Sequence, residues 1–275
     1  MKRRALFLFL VAFVGEWVAT PALASVPVSS PGPGALQADP ADPITLKLTP
    51  YGQEHLLTCE AATVRMMLDY FGIRRTEKEI QAAFPVSNDP TRGYRGKDID
   101  GNVGFENYGA HAPAVAAVVQ HFLDEAGSPY RAVWATFRSH EAAFRAVRQA
   151  LERGSPVIVW MTWEARGGKV PRMLEIEVTR TVRYWQPYPW LPARPPRSLV
   201  SASVTRQVRL VEREHVEIVY GMEGDSLYVI DPYSYRQENG RLVRSRPNGF
   251  RYTWKREPAG WAYFDYAVVY VVPRS

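Results

Sequence analysis

The chain has 275 residues, 46% hydrophobic, 23% charged and 12% aromatic, a composition that supports a packed core and excludes global disorder. Its net charge of +6 is a mild excess, and apart from Lys2-Arg3-Arg4 the basic residues are scattered, which speaks against nucleic-acid binding. A single cysteine excludes a disulfide framework and a cysteine-rich zinc site.

The first residues carry the three parts of a secretory signal. Lys2, Arg3 and Arg4 are the charged start, Ala5 to Val14 is an apolar run, and Ala22-Leu23-Ala24 supplies small residues at the cleavage position before Ser25. A membrane anchor is the alternative, but Glu16 interrupts the run and the run is too short to span a bilayer. Export to the cell envelope or medium is therefore expected, with no integral membrane segment after removal of the signal. The remaining chain stays mildly cationic, so weak attraction to anionic envelope polymers is expected. Residues 25–42 are rich in Pro, Ser, Gly and Ala without apolar periodicity and read as a flexible linker. A single domain of residues 43–275 follows.

Within that domain, Cys59 to Phe71 reads as a helix, with Gly72 where a C-terminal glycine belongs. Thr76-Glu77-Lys78-Glu79 is a capping box that opens a second helix. Residues 86–110 read as a long structured loop. Pro113 to Glu125 is a third helix closed by Gly127, Tyr130 to Phe137 a strand, and Ser139 caps a fourth helix that ends at Gly154. Pro156 to Trp163 is a buried strand. Alternation in LEIEVTRTVRY and SASVTRQVRLVE predicts two long strands within an insertion at about 164–213, whose tip is aromatic and Pro-rich. His215 to Gly221 and Leu227 to Ile230 form a hairpin across Glu223-Gly224-Asp225. Trp261 to Val272 supplies one or two closing strands. Helices packed on a mostly antiparallel sheet make an α+β domain.

The chemistry points to the only thiol. Cys59 begins an apolar helix, where unpaired amides and the helix dipole favour an anion, so a stabilised thiolate is expected. Gln53, in the preceding turn, is placed to fold back and form an oxyanion hole with the Cys59 amide. His215 opens an alternating strand and can take the thiol proton. Asp231 ends the paired strand, where a carboxylate orients the imidazole. Glu217 shares the face of His215, either tuning its charge or facing solvent. His111 reads as packing at a helix entry. His55 lacks an obvious acid partner. Asp98, Asp100 and Asn102 do not meet the spacing of a calcium loop. No metal or cofactor is expected.

These segments, QEHLLTCEAATVRMMLDYFG, DPTRGYRG, NYGAHAPAVAAVV, GSPVIVW, HVEIVYG and LYVIDPY, resemble the C39-like cysteine peptidases in order over residues 53 to 233. The resemblance implies a papain-like fold with Cys59 as nucleophile, His215 as base, Asp231 as orienting acid and Gln53 in the oxyanion hole. Members that cleave double-glycine leader peptides are fused to transporters, and this chain resembles instead the exported, stand-alone bacterial branch. A peptide or protein substrate is implied. The insertion departs from the family, and its tip residues Trp185, Tyr188 and Trp190 are candidate substrate contacts, either on a flap at the groove or on a solvated hairpin. The alternatives are a non-catalytic binder of peptides or cell-wall stems, and an acyl or amide transferase with the same triad.

Overall fold

The computed structural model describes residues 42–187, 197–239 and 241–274. The elements run β1 (Ile44–Thr45), α1 (Cys59–Tyr70), α2 (Glu77–Ala83), α3 (Ala112–Glu125), β2 (Tyr130–Ala135), α4 (His140–Glu152), β3 (Val157–Thr162) and the short α5 (Trp163–Arg166). The chain continues with β4 (Met173–Pro187), β5 (Arg197–Val211), β6 (Glu214–Glu223), β7 (Ser226–Asp231), β8 (Tyr235–Glu238), β9 (Arg241–Arg244), β10 (Phe250–Lys255), a 3₁₀ turn (Trp261–Phe264) and β11 (Val268–Pro273). The main sheet has the order β10-β7-β6-β3-β11-β2, with β1 added to β6, and every pair in it is antiparallel. This is the expected α+β arrangement.

Two cores sandwich the sheet. On one face α1 and α3 pack Met67, Leu68, Val115 and Val119 against Ile158, Trp160, Val216 and Ile218. On the other, α4 packs Val147 and Leu151 against Val157, Val159, Val219 and Val229. Strand alternation explains the division, because neighbours in β6 must face opposite layers. The capping box of α2 forms as read, with the Thr76 side chain on the Glu79 amide and Glu79 on the Thr76 amide. Gly72, at φ +79, closes α1 in the left-handed conformation, and the Ile73 amide bonds back to the Leu68 carbonyl at 2.9 Å.

Three features refine the sequence reading, whose one or two closing strands are here one. The closing segment is one strand preceded by a 3₁₀ turn, because Gly260, Asp265 and Tyr266 take positive φ and the buried Trp261 bonds its indole N–H to the Ala267 carbonyl. An unforeseen strand, β10, pairs with β7 and lays Phe250, Tyr252 and Trp254 along one side of the sheet edge. Third, β6 begins at Glu214 and carries a bulge between Val219 and Gly221.

The insertion forms a separate two-stranded ribbon, β4 with β5, paired continuously from Met173↔Val211 to Pro187↔Arg197. Its base is anchored: Val178, Val208, Leu210 and Val211 are buried, the Val211 amide donates to the Tyr108 hydroxyl at 3.1 Å, and Arg206 pairs with Asp89 at 3.0 Å. Trp185 lies in β4 opposite Leu199. Tyr188 and Trp190 lie outside the described residues, as do residues 1–41, so the expected signal and nearly all of the expected linker fall there as well. No helix among the described residues is long and apolar enough to cross a membrane.

Candidate active site

Residues 52–58 lead into α1 without regular structure, and buried polar bonds set their course. Glu77 accepts the Glu54 amide at 2.9 and 3.0 Å and the Thr58 hydroxyl, tying α2 to the turn before Cys59. The Tyr94 hydroxyl donates to the Leu57 carbonyl at 2.5 Å. Cys59 is thereby fixed as the first residue of α1 and is buried.

A cleft of about 420 Å³ opens at this helix end. Cys59 and Glu60 line it from α1, Glu214 and His215 from the start of β6, and Trp163 and Tyr233 stand beside the imidazole. The His215 Nε2 bonds the Asp231 Oδ1 at 2.7 Å, across the β6–β7 hairpin. That leaves Nδ1 as the ring nitrogen free of Asp231. Trp163 lies over the ring at a centroid distance of 5.0 Å. The structure thus brings Cys59 and His215 to one cleft and joins His215 to Asp231.

Asp231 is itself held. The Tyr233 amide donates to Oδ1 at 2.7 Å, and the Arg166 guanidinium stands 3.6 Å from Oδ2. Arg166 is caged by the rings of Trp163, Tyr252, Trp254 and Phe250, at 4.7 to 5.8 Å from their centroids. Glu217 is fully buried and accepts the Trp254 indole N–H at 2.7 Å and the Tyr252 hydroxyl. Burial and the nearby Asp231 push the Glu217 carboxyl up to about 7. Burial opposes an imidazolium at His215, but Asp231, Glu217 and Glu60 together outweigh it and hold the ring above its ordinary value.

Gln53 is buried but does not line this cleft. Its Nε2 donates to the carbonyls of His55 and Leu56, both at 2.8 Å, so both side-chain N–H groups brace the turn, while its Oε1 is buried without a partner.

The expectation of a stabilised thiolate needs correcting. Burial first, then the carboxyls of Glu60 and Glu214, push the Cys59 thiol well above its ordinary value, and the Sγ donates to Glu60 Oε2 at 3.3 Å. The helix N-terminus does favour an anion, but a buried thiol flanked by two acids meets the larger opposing effect. Sequence reasoning passed over Glu60 and Glu214, although each adjoins a residue it had singled out. Arg166 and its cage left no local signal, since β10 supplies three of the four rings.

Other candidates fall outside the cleft. His111 sits at the N-cap of α3 with its Nε2 3.0 Å from the Tyr108 hydroxyl, and burial pushes it down to about 4, as suits a packing residue. His55 does have an acid partner, Asp100, at 2.8 Å. The long loop brings that carboxylate across from forty-five residues away, which the linear sequence does not reveal. Asp100 also accepts the Leu56 amide at 3.2 Å and so serves as a brace.

The comparisons with known proteins agree with this architecture. The model of the Peptidase_C39 like family matches residues 45–257. A crystal structure of a Bacillus anthracis protein provisionally named a C39-like peptidase superposes with a TM-score of 0.53 at 18% identity, covering 85% of this chain and 99% of that one. At that identity the likeness speaks for the fold alone. The search of curated proteins gives no match. With the family model spanning most of the chain and the fold shared, this protein belongs to the Peptidase_C39 like family and has its papain-like peptidase fold.

Proposed function

We propose that the chain is an exported cysteine peptidase or amide hydrolase that uses Cys59, His215 and Asp231. The observation that carries this reading is the 2.7 Å bond from His215 to Asp231 at a cleft that Cys59 also lines. His215 takes the thiol proton on Nδ1, and Sγ attacks the scissile carbonyl carbon. The C–S bond forms as the carbonyl π pair moves to oxygen. His215 then gives its proton to the leaving amine as the C–N bond breaks, and a water deprotonated by His215 hydrolyses the thioester. Asp231 holds the ring and compensates the imidazolium. The Cys59 amide binds the oxyanion, and Gln53 joins it once one of its N–H groups is released from the turn. Export rests on the three-part pattern of residues 1–24, and the aromatic tip with Trp185, Tyr188 and Trp190 is proposed as a substrate contact.

A second reading has one observation in its favour. The acids around Cys59 oppose a thiolate, as suits a papain-fold binder without turnover. The rate of iodoacetamide alkylation against pH, in the mature protein and in His215→Ala, separates the two. Alkylation that is faster than in the variant, below the free-thiol pKa of about 8.5 as well as above it, is the result expected of the enzyme, because the imidazole takes the thiol proton. Slow alkylation that rises only near or above that pH, unchanged in the variant, favours the binder.

A further inference from the structure

Two acids beside the nucleophile have no part in the mechanism above. A side-chain oxygen of Glu60, one of Glu214 and the Cys59 Sγ all lie within 4.8 Å of one another, and all three residues line the cleft. The Glu60 oxygens are accounted for, one accepting the Ala110 amide at 2.5 Å and the other the Cys59 thiol. Glu214 Oε1 is buried and has no partner. A buried acceptor left without a donor is costly, by an amount comparable to a hydrogen bond.

The chain's own cations do not answer this pair. Among the described residues lining the cleft, the basic side chains are Arg213 and His215. Arg213 is largely exposed and turns its guanidinium to Glu164 at 3.2 Å. His215 is bound to Asp231. The other groups facing the acids are uncharged: Tyr94 and Tyr108 from the long loop and Trp160 from β3. Leu56, Val103, Tyr108, Trp163 and Tyr233 make the remaining wall apolar and aromatic, a surface suited to the stem of a cationic side chain.

We propose that the cleft recognises a substrate bearing a cationic nitrogen, held by the Glu60–Glu214 pair next to the nucleophile. The proposal rests on the reading of Cys59 as that nucleophile. Burial holds both carboxyls above their ordinary range, and Glu60 adds to the effect at Glu214, so a cation seated against the pair relieves both. The same cation offsets the two acids that oppose the thiolate, so recognition and activation of the thiol are coupled. The cationic nitrogen is either a Lys or Arg side chain or a free α-amino group.

Three methanethiosulfonates test this: aminoethyl (cation), propyl (neutral, of the same length) and sulfonatoethyl (anion), each rate divided by that of N-acetylcysteine. In the mature protein the cation is expected to exceed the neutral reagent by roughly tenfold or more, the factor a charge-assisted hydrogen bond supplies. Glu214→Gln and Glu60→Gln, near-isosteric and checked for folding by thermal unfolding, are expected to abolish that preference while the thiol stays reactive. If His215→Ala slows every reagent but the wild-type protein shows no preference for the cation, the nucleophile stands and the cation site is overturned. Rates no faster than N-acetylcysteine and unchanged in His215→Ala overturn both. Peptidyl fluoromethyl ketones then identify the source. Faster inactivation by the blocked lysyl than the blocked norleucyl compound assigns a side chain, and faster inactivation by the unblocked norleucyl compound assigns an α-amino group. Equal rates for all three overturn the proposal.

Discussion

Replacing Glu217 by Gln is expected to flatten the pH dependence of stability. Glu217 is fully buried, with its carboxyl pushed from an ordinary 4.5 up to about 7. Between those values the folded protein holds a proton that the unfolded chain has released. Stability therefore falls as pH rises, by about 1.4 kcal/mol per pH unit, and the contribution is lost by the time pH passes 7. The cumulative cost of the ionised group above pH 7 is roughly 3 kcal/mol. Gln escapes this cost, but weakens the bonds from Trp254 and Tyr252 by about 1 kcal/mol. The net expectation at pH 8.5 is a variant more stable by about 2 kcal/mol, or roughly 5 °C in Tm for a domain of this size. Near pH 5, where the native carboxyl is protonated, the advantage should vanish. Thermal and urea unfolding of both proteins from pH 5 to 8.5 give the difference directly; subtraction removes the slopes of groups that Glu217 does not touch, while the His215 slope changes with the substitution because Glu217 helps hold that ring up. Parallel stability curves would refute the reasoning, because they would mean that Glu217 does not titrate between the folded and unfolded values.

Two further outcomes are expected. Gly109 has φ +121, and a Cβ there would stand 2.2 Å from Glu60 Oε1, so Gly109→Ala should cost more than about 2 kcal/mol and displace Glu60 from the thiol; an unchanged urea midpoint would count against this packing. Arg166→Gln removes the cation 3.6 Å from Asp231 and the plane stacked on Trp163, and should lower the alkylation rate of Cys59 at pH 6 severalfold, with partial recovery in Arg166→Lys, which restores charge but not the stacking. Equal rates in all three proteins would show that Arg166 only fills space.

Much of the candidate site was legible because its signals are local. An apolar helix starting at Cys59, a capping box at Thr76 and a hairpin bringing His215 near Asp231 each follow from residues close in sequence, and their order supports the family resemblance. The β4–β5 ribbon was likewise visible as strand alternation, although its tip lies outside the described residues. What the linear chain concealed are groups gathered from distant segments. Arg166 meets Asp231 and the rings of β10, and His55 meets Asp100.

The sequence by itself determined on which elements the candidate residues Cys59, His215 and Asp231 stand, because helix ends, strand alternation and turn residues are set by near neighbours. Only the tertiary structure decided the electrostatics of those residues. Burial and the approach of Glu60 and Glu214 reverse the effect expected of the helix end on Cys59, and burial beside Asp231 moves Glu217 to near neutrality. The physical reason is that a charge's energy depends on the solvent removed from it and on partners within a few ångströms. Both are set by how distant segments pack.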